Sequence, residues 1–214
     1  MRTQVLPDDE AVARRAAELI VAEARGAIDA RGRFLFAASG GATPWQMFRI
    51  LSDREVPWVG VHLFQVDERV APPGHPDRNL THLAASLLDR VLIPAGHVHL
   101  MPVEDTDLDA AAARYSAELK VVGGTPAVLD LVHLGLGADG HTASLVPGDA
   151  VLGVADADVA ITGEYRGYRR MTITLPVLDR ARLLLWVVTG ADKAEALARL
   201  LGSDRSIPAG RVRA

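Results

Sequence analysis

Residues 135–148 read GLGADGHTASLVPG, and they put an imidazole in a glycine-rich turn at the end of an apolar run, LDLVHLGLG at 129–137. A histidine at the mouth of a buried strand has a chemical use, because an ordinary imidazole pKa near ~6.5 lets it take up or release a proton at neutral pH. The glycines around His141 let backbone amides approach a ligand closely. Against this stands a simpler reading, a glycine turn that carries a solvated histidine. The stretch also contains a literal G-x-G-x-x-G at Gly135, Gly137 and Gly140, the pattern of a dinucleotide site. That pattern needs a long helix whose N-terminus faces the pyrophosphate. Here Pro147 and Gly148 cut off any helix after about two turns, and Asp139 would stand among the phosphate-facing amides. A nicotinamide or flavin site is therefore not expected.

Two further patterns supply what the histidine would need. SGGATP at 39–44 follows the apolar run FLFAA, and its Ser39, Gly40, Gly41 and Thr43 offer converging N–H groups and a hydroxyl, with Pro44 suited to the first position of a helix. This is a phosphate cradle without the lysine and spacing of a nucleotide loop, so it suits a sugar phosphate better than ATP. VDERVAP at 66–72 ends the run VHLFQV, where three charges leaving a buried strand are unexpected unless paired or used. Arg69 would hold a phosphate or carboxylate, and Asp67 would accept from sugar hydroxyls or orient the imidazole; an ion pair at the sheet edge is the plainer alternative. Lys193, in TGADKAEAL, adds a cation at the same edge. His97 and His99, in HVH, put two imidazoles on one strand face, but no third ligand is placed to make them a metal site. His62, His75, His82 and His133 are read as ordinary surface or core histidines.

The elements that must position these groups follow from hydrophobic patterning. Runs apolar on both faces at 34–39, 61–66, 129–137, 171–175 and 183–188 alternate with helical patterns and suit a parallel sheet covered by helices. Asp8 or Asp9 caps a helix through Val12, Ala16, Leu19, Ile20 and Ala27; Asn79 starts one through Leu83, Leu87 and Leu88; Ala110 to Leu119 and Ala191 to Leu201 add two more. The order predicts an α/β, Rossmann-like, doubly wound and mostly parallel sheet with helices on both faces, formed as a single domain over 1–214, with ligands at the carboxyl ends of the strands. The 214 residues, 49% hydrophobic and 23% charged, suffice for that core. With 23 basic against 27 acidic residues, the charge of −4 gives no reason to expect nucleic acid or an anionic membrane as partner. Cysteine is absent, which excludes disulfides, thiolate metal sites and a cysteine nucleophile. MRTQVLPDDE has no apolar signal core, and the longest apolar run, LLLWVV, is far below the roughly 20 residues of a membrane span, so a cytoplasmic monomer is expected.

SGGATP, VDERVAP followed by PDRN, and LGLGADGHTASLVPG, in this order, resemble the 6-phosphogluconolactonase family, and RMTITLPVL and VTGADKAEAL resemble its later segments. The resemblance spans most of the chain. It implies hydrolysis of 6-phospho-D-glucono-1,5-lactone with no cofactor and no metal. It implies a catalytic role for His141, with Asp67, Asp139 and Arg69 in the same pocket, and phosphate binding by Ser39, Gly40, Gly41, Thr43, Gly140, Arg69 and Lys193. Two features depart from the pattern: Arg78 stands before Asn79 where the family usually has Ser, and the chain stops at PAGRVRA where relatives usually run on. The chemistry agrees with the resemblance, since opening a lactone needs only a delivered water and a stabilised oxyanion. Glucosamine-6-phosphate deaminase is the nearest alternative, but its pattern has a carboxylate five residues after the histidine, where this chain has Val146. A non-catalytic sugar-phosphate sensor is the other, and it normally carries a DNA-binding module for which no segment is evident.

Overall fold

The computed structural model describes residues 1–213; Ala214, at the end of PAGRVRA, lies outside the described residues. Asp8 accepts from the Ala11 amide at 2.8 Å and so starts α1 (Asp9–Arg31), whose buried stripe is Ala13, Ala16, Ala17, Ile20, Ala24 and Ala27. There follow β1 (Phe34–Ala38), α2 (Ala42–Ser52), β2 (Val61–Gln65), β3 (Asp67–Arg69), α3 (Asn79–Ser86), β4 (Val98–His99), α4 (Leu108–Gly123) and β5 (Leu131–Leu134). The chain ends through β6 (Val159–Ile161), β7 (Arg170–Ile173), α5 (Leu175–Arg180), β8 (Leu184–Trp186) and α6 (Ala194–Leu201).

Five strands form an all-parallel sheet in the order β4-β2-β1-β5-β8. Alternate residues of each strand face opposite layers, as the period of two requires. Phe34, Phe36, Val61, Leu63 and Leu131 pack with Ile20, Phe48 and Leu83 of α1, α2 and α3. Leu35, Ala37, Phe64, Val132 and Leu134 pack with Ala112, Tyr115 and Leu119 of α4. This is the doubly wound arrangement, with both faces covered.

The run 171–175 does not join that sheet. It forms β7, antiparallel to both β3 and β6, in a second sheet of order β3-β7-β6. The link is Val66, whose amide bonds to the Ala38 carbonyl while its own carbonyl accepts from Ile173. The chain thus passes from one sheet to the other within one residue of β2. β3 is three residues of charged sequence and β4 is two residues, too short to give a pattern. Other boundaries differ modestly. Pro44 is the third residue of α2, the helix from Asn79 stops at Ser86 before a separate 3-10 turn at Leu88–Arg90, and Ala191–Lys193 is a 3-10 turn ahead of α6.

His62, His97 and His99 form a stack at the β2–β4 edge. The His62 and His97 ring centroids are 3.9 Å apart, and His62 Nδ1 lies 3.1 Å from His99 Nε2. Burial, then the charges of His97, His99 and Arg33, hold His62 down at about 4. Among the described residues no group of three or more His, Asp or Glu is arranged to hold a metal. No helix among them is long and apolar enough to cross a membrane.

Candidate active site

β1 has β2 on one side and β5 on the other, so the chain leaves these neighbouring strands in opposite directions at their carboxyl ends. Such a switch point opens the crevice in which α/β sheets bind ligands. The SGGATP turn follows β1 there, and the glycine loop follows β5. Ser39 donates its amide to Nδ1 of His133 at 3.3 Å. His133 is fully buried on β5, and burial holds it down at about 3, so its ring stays neutral and can accept. A residue read as an ordinary core histidine therefore fixes the cradle. Gly40 is required by Asn79: a Cβ at this position would lie 2.1 Å from Asn79 Oδ1. Gly41 precedes α2 with no side chain capping the helix, which leaves its first-turn amides open to an anion. Thr43 Oγ1 is 2.6 Å from Thr189 Oγ1, tying the cradle to the loop that carries Lys193. Lys193 makes no ion pair with any described residue.

β3 supplies the second part. Glu68 is fully buried and accepts from the amides of Arg69, Asn79 and Leu80 at 2.7–2.8 Å and from Gln65 Nε2 at 2.9 Å, so it starts α3. Arg78 Nε lies 3.4 Å from Glu68 Oε2, and its Nη1 donates to the Ala71 carbonyl and to Glu104. The residue that departs from the family pattern is thus a core ion-pair partner and not part of the crevice. Arg69 donates to the Asp77 carbonyl and lies 3.4 Å from Asn79 Oδ1.

Asp67 is buried, with Ser144 Oγ donating to Oδ2 at 2.6 Å and Asn79 Nδ2 to Oδ1 at 3.2 Å. Burial pushes its carboxyl above the usual range despite the Ser144 bond and the nearby Arg170. The native protein therefore holds this proton to higher pH than the unfolded chain does, and its stability falls as pH rises through that window. Asp67→Asn removes the buried charge. It is expected to melt higher than the parent at neutral pH, with the gap closing as pH is lowered into the carboxylate range. Melts at both pH values check this; a variant that melts lower at neutral pH would show that the ionised carboxylate stabilises the fold.

The third part is the loop after β5. Gly137 accommodates the histidine, since a Cβ there would lie 2.1 Å from His141 Nδ1. Gly140 accepts from the Ala209 amide through its carbonyl. His141 Nδ1 is 2.5 Å from Asp139 Oδ1, and Tyr165 Oη donates to Asp139 Oδ2 at 2.8 Å. Partial burial acts upward on Asp139, but the bonds from His141 and Tyr165 hold it below the ordinary carboxylate range. An ionised carboxylate only accepts, so in the neutral ring the proton is on Nδ1 and Nε2 carries the lone pair. Nε2 has no hydrogen-bond partner among the described residues. The group that orients the imidazole is Asp139, while Asp67 is occupied by Ser144 and Asn79.

Sequence reasoning missed five contributors: His133, Asn79, Ser144, Tyr165 and Arg170. Ser144 and Asn79 lie inside the DGHTAS and PDRN motifs, and the place of His133 within a run apolar on both faces could have marked it as buried. Arg170 heads the RMTITLPVL segment without a role assigned to it there, and Tyr165, on the β6–β7 hairpin, carries no such signal. Arg170 is buried over the Tyr165 ring, 5.1 Å from its centroid, with Nη1 3.5 Å from Ser144 Oγ and Nε without a partner. The surface groove lined by Arg25, Arg54, Glu55 and Trp58 lies before β2, at the opposite ends of the strands, and holds none of these groups.

The glycine turn after β1, the carboxylate strand β3 and the histidine loop after β5 thus meet at one switch point of an α/β sheet, the place where such folds bind small ligands. The chain belongs to the family of glucosamine-6-phosphate isomerases and 6-phosphogluconolactonases, whose model matches residues 7–214. It is 39% identical over 202 residues to a 6-phosphogluconolactonase of Nostoc, covering 92% of this chain and 83% of that one. It is 35% identical over 207 residues to the Synechocystis 6-phosphogluconolactonase, covering 95% and 86%. The crystal structure of 6-phosphogluconolactonase from Thermotoga maritima superposes with a TM-score of 0.88 at 27% identity, covering 98% of this chain and 93% of that one.

Proposed function

We propose that this chain hydrolyses 6-phospho-D-glucono-1,5-lactone to 6-phospho-D-gluconate, with His141 as general base. The observation that carries the mechanism is the Asp139 carboxylate on His141 Nδ1, which leaves Nε2 to accept a proton. Nε2 takes the proton of a water whose oxygen attacks C1, giving a tetrahedral oxyanion. The oxyanion collapses with cleavage of the bond from C1 to the ring oxygen, and the imidazolium returns its proton to that oxygen as it leaves. The new carboxylic acid then ionises to solvent. Arg170, the buried guanidinium with an unpartnered Nε, supplies positive charge beside this chemistry. The open amides of α2 with Ser39, Gly40, Gly41 and Thr43 hold the phosphate, together with Arg69 and Lys193.

Hydrolysis of freshly made lactone, corrected for the spontaneous rate, tests the reading. The same preparation should release no ammonia from glucosamine 6-phosphate, because Val146 is a buried apolar side chain where deamination needs a carboxylate. Ammonia release would replace lactone hydrolysis with the alternative. Arg69→Ala should lower kcat/KM on the phosphorylated lactone roughly ten- to a hundredfold, the effect of losing a charge-assisted hydrogen bond of ~1.5–3 kcal/mol. On unphosphorylated gluconolactone the change should be small, and equal losses on both substrates would move Arg69 out of phosphate recognition.

A further inference from the structure

The tip of the β6–β7 hairpin touches both halves of the crevice. Its residues YRGY, at 165–168, close through paired backbone bonds between Tyr165 and Tyr168, with Arg166 at φ 51 and Gly167 at φ 82. Two successive positive φ values are what a two-residue hairpin turn demands, and directly opposed residues project from one face of the ribbon. The two phenols therefore point the same way. Tyr165 Oη donates to Asp139 Oδ2 at 2.8 Å, and Tyr168 Oη donates to Asp77 Oδ2 at 2.7 Å. Asp139 in turn holds His141 Nδ1, and the Asp77 carbonyl accepts from Arg69. Each tyrosine stands one residue away from a group that the functional reading uses.

We propose that this hairpin tip is a two-pronged positioning element, in which Tyr165 sets the imidazole of His141 through Asp139 and Tyr168 sets the guanidinium of Arg69 through Asp77. It rests on the lactonase reading for the roles of His141 and Arg69. A carboxylate bonded at one oxygen alone is free to turn about its last torsion. Tyr165 on Oδ2 fixes the carboxylate plane, so that Oδ1 faces Nδ1 and the imidazole keeps the tautomer with Nε2 unprotonated. Tyr165 is itself fixed by Arg166 and Arg170, each 5.1 Å from its ring centroid, and by the His141 ring at 5.6 Å. Around Tyr168 stand Asp77, Arg69 and His75. Burial and then the Asp139 bond raise the Tyr165 phenol above its ordinary range, and the Asp77 bond does the same for Tyr168. Both hydroxyls consequently remain donors at working pH.

Tyr165→Phe and Tyr168→Phe keep the rings and remove one oxygen each. Tyr165→Phe should lower kcat about tenfold, the scale of one hydrogen bond to a charged group, while leaving KM nearly unchanged. Tyr168→Phe should instead raise KM for the phosphorylated lactone several-fold and have little effect with unphosphorylated gluconolactone. Long-range 1H–15N spectra of the imidazoles give a readout that needs no turnover. The neutral His141 ring should be protonated at Nδ1 in the parent and drift to a mixture of tautomers in Tyr165→Phe. If Tyr165→Phe keeps both kcat and the Nδ1–H tautomer, the proposal is overturned. Matching losses in kcat and KM for both variants, together with a lowered Tm, would overturn it as well, since they describe a merely structural hairpin. A parent protein with no lactonase turnover would remove the functional reading, and the tautomer comparison would still decide the positioning claim.

Discussion

His141→Asn is expected to lower the turnover number on 6-phosphogluconolactone by about 10²–10⁴-fold while the fold and phosphate binding survive. The range is the typical contribution of one positioned general base. The structural basis is that His141 contributes little to the core: it sits in a turn, its side chain retains 21% of its exposure, and its one side-chain bond is to Asp139. Asn keeps a polar side chain in the turn, so the change removes a proton acceptor and little core packing. The lactone hydrolyses on its own and does so faster in base, so only blank-corrected rates are informative. Binding of 6-phosphogluconate, measured by calorimetry alongside, separates the alternatives. Wild-type turnover in the variant would take His141 out of the mechanism, and joint loss of binding and thermal stability would make it a structural residue.

The parts of this site that could be read from sequence are those whose neighbours in space are also neighbours in the chain. Asp139, Gly140 and His141 are contiguous, and the preceding run LDLVHLGLG announces a strand because β5 is buried on both faces. The same logic located the SGGATP turn at the end of β1 and the DER segment after β2. What could not be read is the second sheet. β3 has three residues with the sequence of a loop, and its pairing with β7 joins positions about a hundred residues apart, for which hydrophobic period carries no information. Tyr165 was hidden for that reason, and so was the place of Arg170, since only the β3-β7-β6 sheet brings the YRGYRR hairpin to the histidine loop. Arg78 illustrates a related limit. A charged residue between Asp77 and Asn79 looks solvated in a sequence, whereas in the fold it is 1% exposed and meets Glu68.

That buried pair carries the other large expected effect, a loss of stability. Glu68→Ala should destabilise the fold by about 3–5 kcal/mol, the range for breaking a buried ion pair by removing one partner. Several losses coincide at this position. Arg78 would keep its charge in the core with only Glu104 and the Ala71 carbonyl to meet it. The amides of Arg69, Asn79 and Leu80 would lose their acceptor, and α3 would lose the carboxylate at its N-terminus. For a chain of 214 residues, where ~1 kcal/mol corresponds to roughly 2–4 °C, the melting temperature should fall on the order of 10 °C. The site should suffer with the fold, because Asn79, which starts α3, packs over Gly40 and donates to Asp67. A double replacement, Glu68→Leu with Arg78→Met, discriminates between the physical causes. It removes the stranded charge but leaves the α3 amides unmet, so it should recover part of the loss and not all of it. Full recovery would assign the whole effect to the uncompensated arginine, and no recovery would assign it to the helix start. An unchanged melting temperature in Glu68→Ala itself would mean that the Glu68 carboxylate contributes nothing to stability.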